Sequence, residues 1–71
     1  MTILIDGREL EPPEPLQRVL AALSALAPNE DVCALLHCHP LPLFRALEGK
    51  GFVWTEDVRA DGTHEIRIRR A

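Results

Sequence analysis

The sequence predicts a two-layer α/β sandwich with the element order β-α-β-α-β-β, in which two helices cover one face of a four-stranded mixed sheet. Three patterns support this prediction. They are short aliphatic runs with the length of strands, apolar stripes at helical spacing, and two final segments whose side chains alternate with period two. The chain of 71 residues suits one domain, residues 1–71, near the lower size limit for independent folding.

The first half of the chain predicts a strand, a helix and a second strand. Thr2 to Asp6 is a β-branched and aliphatic run that leads into a glycine, as expected of a buried strand. The prolines that follow are tolerated in the first turn of a helix, where the amide groups have no intrahelical partner. Apolar residues then recur at three- and four-residue spacing to about Ala27, which predicts an amphipathic helix. Asp31 to His37 is a second apolar run and predicts the second strand.

The second half predicts a short helix and a hairpin. Leu43, Phe44 and Leu47 share one face of the helix, and glycines follow it. Residues 52–59 and 63–69 alternate with period two around an Asp-Gly pair that is typical of a hairpin turn. Because a helix follows each of the first two strands, we expect these strands to be parallel. Charges of both signs on the uncovered sheet face predict that it is wet or partly covered by a second subunit.

The charge of the chain argues against nucleic-acid binding. Acidic residues outnumber lysines and arginines by 11 to 8, for a net charge of −3, whereas a nucleic-acid binder needs a basic face. Arg67, Arg69 and Arg70 are interpreted as part of a solvated strand face. No apolar run approaches the ~20 residues that cross a bilayer, and the N-terminal segment has no basic leader. We therefore expect a cytoplasmic protein that binds neither nucleic acid nor membrane.

Cys33 and Cys38 are predicted to be reduced thiols. In one extended segment their Cα atoms would be about 16 Å apart, too far for a disulfide. Cys33 lies inside the apolar strand and is predicted to be a core residue. Cys38 lies between two histidines and just before a helix, an arrangement that favours a thiolate. It is therefore the candidate thiol for sulfur or redox transfer, with a semi-buried filler as the alternative.

His37 and His39 are the candidate metal ligands. In extended backbone they project to the same side, and open α/β sheets bind ligands where the C-terminal ends of adjacent parallel strands converge. That end of the sheet would also bring Glu14 near the histidines. A His/His/carboxylate set, with Cys38 as a further donor, suits Zn²⁺ or Fe²⁺. The site would be open or completed by a second subunit. The alternative is that both histidines are exposed or cap local backbone groups.

The segment before the first helix resembles the start of the TusA-like (SirA-like) sulfur carriers. In those proteins a strand runs into a Cys-Pro-x-Pro motif at the start of the first helix. Here Pro13-Glu14-Pro15 matches the Pro-x-Pro part, and Pro12 occupies the cysteine position. A persulfide carrier needs a thiolate at that position, and proline supplies none.

The whole chain is still more similar to a divergent branch of that fold, the family called domain of unknown function 2249. The matching features are the pair Pro12-Pro13, the segment Ala25-Leu26-Ala27-Pro28, and Leu36-His37 followed by Pro40-Leu41-Pro42-Leu43. The resemblance implies the carrier fold without the carrier cysteine.

These observations together predict an accessory domain with no enzymatic activity. We expect it to bind a metal ion, a small ligand or a protein partner at the strand-end face, which comprises Pro12 to Pro15 and His37 to Pro40. Two alternatives stay open. One is sulfur or redox transfer through Cys38, and the other is a homodimer formed through the exposed sheet face.

Overall fold

Six elements build the structure in the order that the sequence predicts. The computed structural model describes residues 1–71. The elements are β1 (Thr2–Asp6), α1 (Glu14–Ser24), β2 (Asp31–Leu36), α2 (Leu41–Leu47), β3 (Phe52–Val58) and β4 (His64–Arg70). The strand order is β1-β2-β4-β3. β1 and β2 are parallel, and β4 is antiparallel to both β2 and β3. The predicted fold class is therefore confirmed, including the parallel first pair and the C-terminal hairpin.

The core lies between the two helices and one face of the sheet. Leu43, Phe44 and Leu47, which the spacing places on one face of α2, are all buried. From α1, Val19 and Leu23 are buried. The complete core cluster comprises Val19, Leu23, Leu26, Val32, Ala34, Leu36, Leu43, Phe44, Leu47, Ile66 and Ile68. Both helices thus cover the same face of the sheet, as predicted.

The first helix is shorter than its apolar stripe suggests. It ends at Ser24 instead of about Ala27. The amides of Ala25 and Leu26 donate to carbonyls three residues earlier, at 3.3 and 3.2 Å, which is typical of a tightened last turn. This turn keeps Leu26 buried, so the apolar spacing continues past the end of the α-helix.

Neither helix has the length and the hydrophobicity that a membrane-spanning helix needs.

Arg70 is exposed like Arg67 and Arg69, but it lies on the opposite face of the sheet. β4 extends to Arg70, and alternation places this residue on the same face as Ile66 and Ile68. Its Nε donates to the carbonyl of Leu26 at 3.1 Å, and its guanidinium lies 5.4 Å from the centre of the Phe52 ring. Arg70 therefore joins the C-terminal end of α1 to the hairpin.

The uncovered face of the sheet carries an ion-pair network. Glu65 accepts hydrogen bonds from Arg59 and Arg67, as expected for opposite charges on that face. Cys33 and Leu35 are buried but lie outside the core cluster, since alternation turns them away from the helices. Cys33 is thus a buried hydrophobic residue of the core, as predicted, although it packs on the face of the sheet opposite the main cluster. β2 is a central strand, so the side chains of its neighbours cover both faces.

Candidate functional site

The strand-end face contains an apolar cleft of about 320 Å³. The cleft lies between the start of α1 and the segment that joins β2 to α2. The residues predicted for this face that line the cleft are Pro12, Pro13, Pro15, His37, Cys38, His39 and Pro40. The remaining walls include Leu16 and Leu43. The structure therefore brings together the segments 12–15 and 37–40, which the predicted topology places at the same end of the sheet.

Gly7 allows the cleft walls to approach each other. Its amide donates to the carbonyl of Leu35 at 2.8 Å, which continues the β1–β2 pairing past the end of β1. A Cβ at this position would lie 2.9 Å from Cδ2 of Leu36 and 3.1 Å from Cβ of Pro15. These distances are shorter than van der Waals contact, so only glycine fits here without a shift of its neighbours.

Glu14 does not lie in the cleft with the other predicted residues. Its carboxylate pairs with Arg18 one turn further along α1, at 2.9 Å. Both side chains are exposed, and the pair is of the ordinary kind between residues four apart on a helix. The structure thus does not bring Glu14 to His37 and His39 as the predicted carboxylate ligand.

The imidazole of His39 is bound by a different carboxylate, that of Glu56 on β3. Nδ1 of His39 lies 2.8 Å from Oε1 and 3.0 Å from Oε2 of Glu56. Nδ1 of His64, at the start of β4, lies 2.8 Å from Oε2. One carboxylate therefore joins the β2–α2 segment to the C-terminal hairpin.

The ring of His39 is also held by aromatic packing. It meets the ring of Phe44 edge-on, with the centroids 5.0 Å apart and the planes at 70°. Phe44 in turn stacks on Trp54, at 5.5 Å and 12°. Edge-on and offset stacked pairs are the favourable aromatic geometries. The position of His39 is therefore set by contacts with both α2 and β3.

Two opposing effects act on the pKa of Glu56. Burial of the carboxylate would raise this pKa, but hydrogen bonds from His64 and His39 lower it, and together they outweigh the burial. The net pKa is lowered, so Glu56 is ionised at neutral pH. An ionised carboxylate is only an acceptor, which makes both histidines the donors.

The carboxylate of Asp6, at the end of β1, is held by Arg8. Hydrogen bonds from the side chain and amide of Arg8, with a smaller contribution from the charge of His37, lower the pKa of Asp6 to about 2. The side-chain distances from Arg8 to Asp6 are 2.9 and 2.8 Å. Asp6 thus has a structural hydrogen-bonding role towards Arg8.

No three histidine, cysteine or acidic side chains in the structure are arranged to hold a metal ion. A Zn²⁺ or Fe²⁺ site on His37 and His39 stays a prediction, and its further ligands would have to come from outside the chain. The thiol of Cys38 is exposed and free. It lines the cleft between the two histidines.

Residues 4–70 match the family model described as "Uncharacterized conserved protein (DUF2249)". The chain belongs to this family. The structure is also similar to the crystal structure of the SirA-like protein from Desulfitobacterium hafniense, with a TM-score of 0.82 and 25% sequence identity. The similarity covers 96% of this chain and 95% of that one. No curated protein matches the chain. The family and the SirA-like fold implied by the proline motifs are both confirmed.

In this DUF2249 member, Glu56 and its link to His39 were missed from the sequence. The alternation of side chains along β3 could have revealed Glu56. It faces the same side of the sheet as Phe52 and Trp54, which pack towards the helices. A lone carboxylate at an inward-facing position needs a polar partner. A search for that partner leads to His64, which faces the same side of the neighbouring strand.

Proposed function

We propose that this domain is a non-enzymatic binding module that holds a small ligand in the cleft of the strand-end face. The composition of the cleft carries the proposal. Its walls are mainly proline and leucine, and its only polar side chains are His37, Cys38 and His39, which are consecutive. Small-molecule sites are typically apolar clefts with a few polar groups. The volumes of such sites range upwards from about 300 Å³.

The departures from the sulfur carriers support a binding role. Pro12 occupies the position of the carrier cysteine, and its ring lines the cleft. The substitution replaces a thiol at the helix start with apolar surface. A partly enclosed apolar cavity favours an apolar ligand, because its burial removes apolar surface from water on both sides.

The proposal can be tested with para-ethylphenol as the probe and the backbone amide NMR spectrum as the readout. We expect saturable shifts confined to residues around the cleft, such as Gly7, Leu16 and Leu43. Cys38→Trp would fill the cleft and abolish these shifts. Cys38→Ser keeps the size of the side chain and should leave them intact. Shifts scattered over the surface, or full binding by Cys38→Trp, would contradict the proposed site.

A second candidate function is sulfur or redox transfer through Cys38. Its support is the position of this exposed thiol in the cleft. Native mass spectrometry of protein purified from its host without added reductant tests this role. A mass gain of one or more sulfur atoms on Cys38 would favour transfer, and the Cys38→Ser variant is the control. A chain of unmodified mass would leave ligand binding as the better account.

A further inference from the structure

We propose that the ligand of the cleft is a neutral apolar molecule that donates a hydrogen bond to Nε2 of His39, and that Glu56 is the positioning residue that prepares this acceptor. The inference rests on the proposed function and identifies the chemical class of the ligand. It starts from the hydrogen bond between Glu56 and His39, which the carboxylate makes in addition to its hydrogen bond with His64.

The carboxylate of Glu56 determines the tautomer of His39. A carboxylate only accepts, so the proton of a neutral His39 lies on Nδ1, 2.8 Å from Oε1. Nε2 then carries the lone pair and is an acceptor. The lowered pKa of Glu56 agrees with this assignment, since it keeps the carboxylate ionised. A hydrogen bond to one ring nitrogen sets the role of the other in the same way at metal sites, where the ligating histidine commonly donates its free N–H to a carboxylate.

The ring of His39 is held more firmly than its place in a loop would suggest. Glu56 is itself fixed by His64 at 2.8 Å, and the side chains of Glu56 and His64 are only 21% and 19% exposed. Phe44 packs against the imidazole edge. His39 is 55% exposed and lines the cleft, so a fixed ring remains accessible to a ligand.

The polar lining of the cleft selects the class of ligand. No lysine or arginine lines the cleft, so an anionic group would have no permanent counter-charge there and would lose its hydration. A neutral molecule gives up less hydration free energy when it enters the cleft. The acceptor at Nε2 requires a hydroxyl, amide or thiol hydrogen on that molecule. The expected ligand is therefore an alcohol, phenol, amide or thiol with an apolar body.

A matched pair of probes tests the inference. para-Ethylphenol and para-ethylanisole have similar apolar bodies, but only the phenol donates a hydrogen bond. We expect the wild-type protein to bind the phenol about three- to tenfold more tightly, as one neutral hydrogen bond would give. In Glu56→Gln the ratio of the affinity for the phenol to that for the anisole should fall towards one, while the affinity for the anisole is unchanged. Glu48→Gln, an exposed glutamate after α2, is the control and should keep the wild-type ratio.

Long-range proton–nitrogen NMR correlations supply a readout that does not depend on the ligand. They should show the Nδ1–H tautomer of His39 in the wild-type protein and in Glu48→Gln, and its loss in Glu56→Gln. His39→Phe keeps an aromatic ring beside Phe44 but has no acceptor, so it too should bind both probes equally.

The outcomes separate this inference from the proposed function. Equal binding of both probes to the cleft of the wild-type protein would overturn the donor requirement and leave the binding role intact. A preference for the phenol that persists in Glu56→Gln would overturn the role of Glu56. Failure of both probes to bind the cleft would overturn the proposed function itself.

Discussion

Gly7 and Leu36 lie so close together that a methyl group on Gly7 would sit 2.9 Å from Cδ2 of Leu36. The two residues meet where the chain leaves β1 and turns towards α1, at the floor of the cleft. Gly7 does not have a positive φ. Position 7 therefore requires glycine because there is no space for a side chain, and not because of the backbone conformation.

Gly7→Ala is expected to lower the free energy of unfolding by about 1–3 kcal/mol, the usual cost of overpacking. Urea unfolding followed by circular dichroism measures this change. Leu36→Val removes the clashing Cδ2 atom, so Gly7→Ala should cost less in the Leu36→Val background than in the wild type. An equal cost in both backgrounds would show that the contact with Leu36 is not the cause.

Glu56→Gln is expected to destabilise the fold by about 1 kcal/mol at neutral pH, because two hydrogen bonds to an ionised acceptor are weakened. Folding lowers the pKa of Glu56 below its ordinary value of 4.5. The carboxylate therefore stabilises the fold above pH 4.5, and this stabilisation is lost as the pH falls through the lowered pKa. The difference between wild type and Glu56→Gln in urea unfolding should shrink over that acidic range. A difference independent of pH would count against the ionised state as its source.

Arg70→Gln is expected to lower the free energy of unfolding by about 1 kcal/mol, since it removes the hydrogen bond to the Leu26 carbonyl and the contact over Phe52. The matched control is Arg69→Gln. Arg69 lies on the uncovered face and makes one long hydrogen bond, to the carbonyl of Arg70 at 3.4 Å. Thermal unfolding should show little change for this control. Equal losses in both variants would indicate a general effect of charge.

The two cysteines are expected to differ strongly in their rate of alkylation. Cys38 is exposed and Cys33 is buried. Burial raises the pKa of the Cys33 thiol, and the charge of Glu65 raises it further, so little reactive thiolate forms. Iodoacetamide labelling followed by mass spectrometry should modify Cys38 first, and Cys33 only after denaturation. Rapid labelling of Cys33 in the folded protein would contradict its burial beside Arg67 and Glu65.

The elements and their faces were predictable from the sequence, because helical and strand periodicity is a local property. The stripe on α2, the alternation of the hairpin and the parallel first pair were all predictable from spacing and topology. The replacement of the carrier cysteine by Pro12 can be read from the sequence motif alone. The strand-end face was also predictable, because each of the first two strands leads into a helix at the same end of the sheet. That a cleft lies at this face was not.

The pairs of side chains that contact each other were not predictable in this way, because they depend on how the elements are arranged in space. Glu56 contacts His39 across 17 positions and Arg70 contacts Leu26 across 44. Both contacts depend on β4 lying between β2 and β3. Alternation alone does not reveal which strand of the hairpin pairs with β2, and it does not say that neighbours will bury Cys33 on the face away from the helices. The hydrogen bonds of the site therefore depend on the order of strands in the sheet, which is a consequence of packing the whole chain.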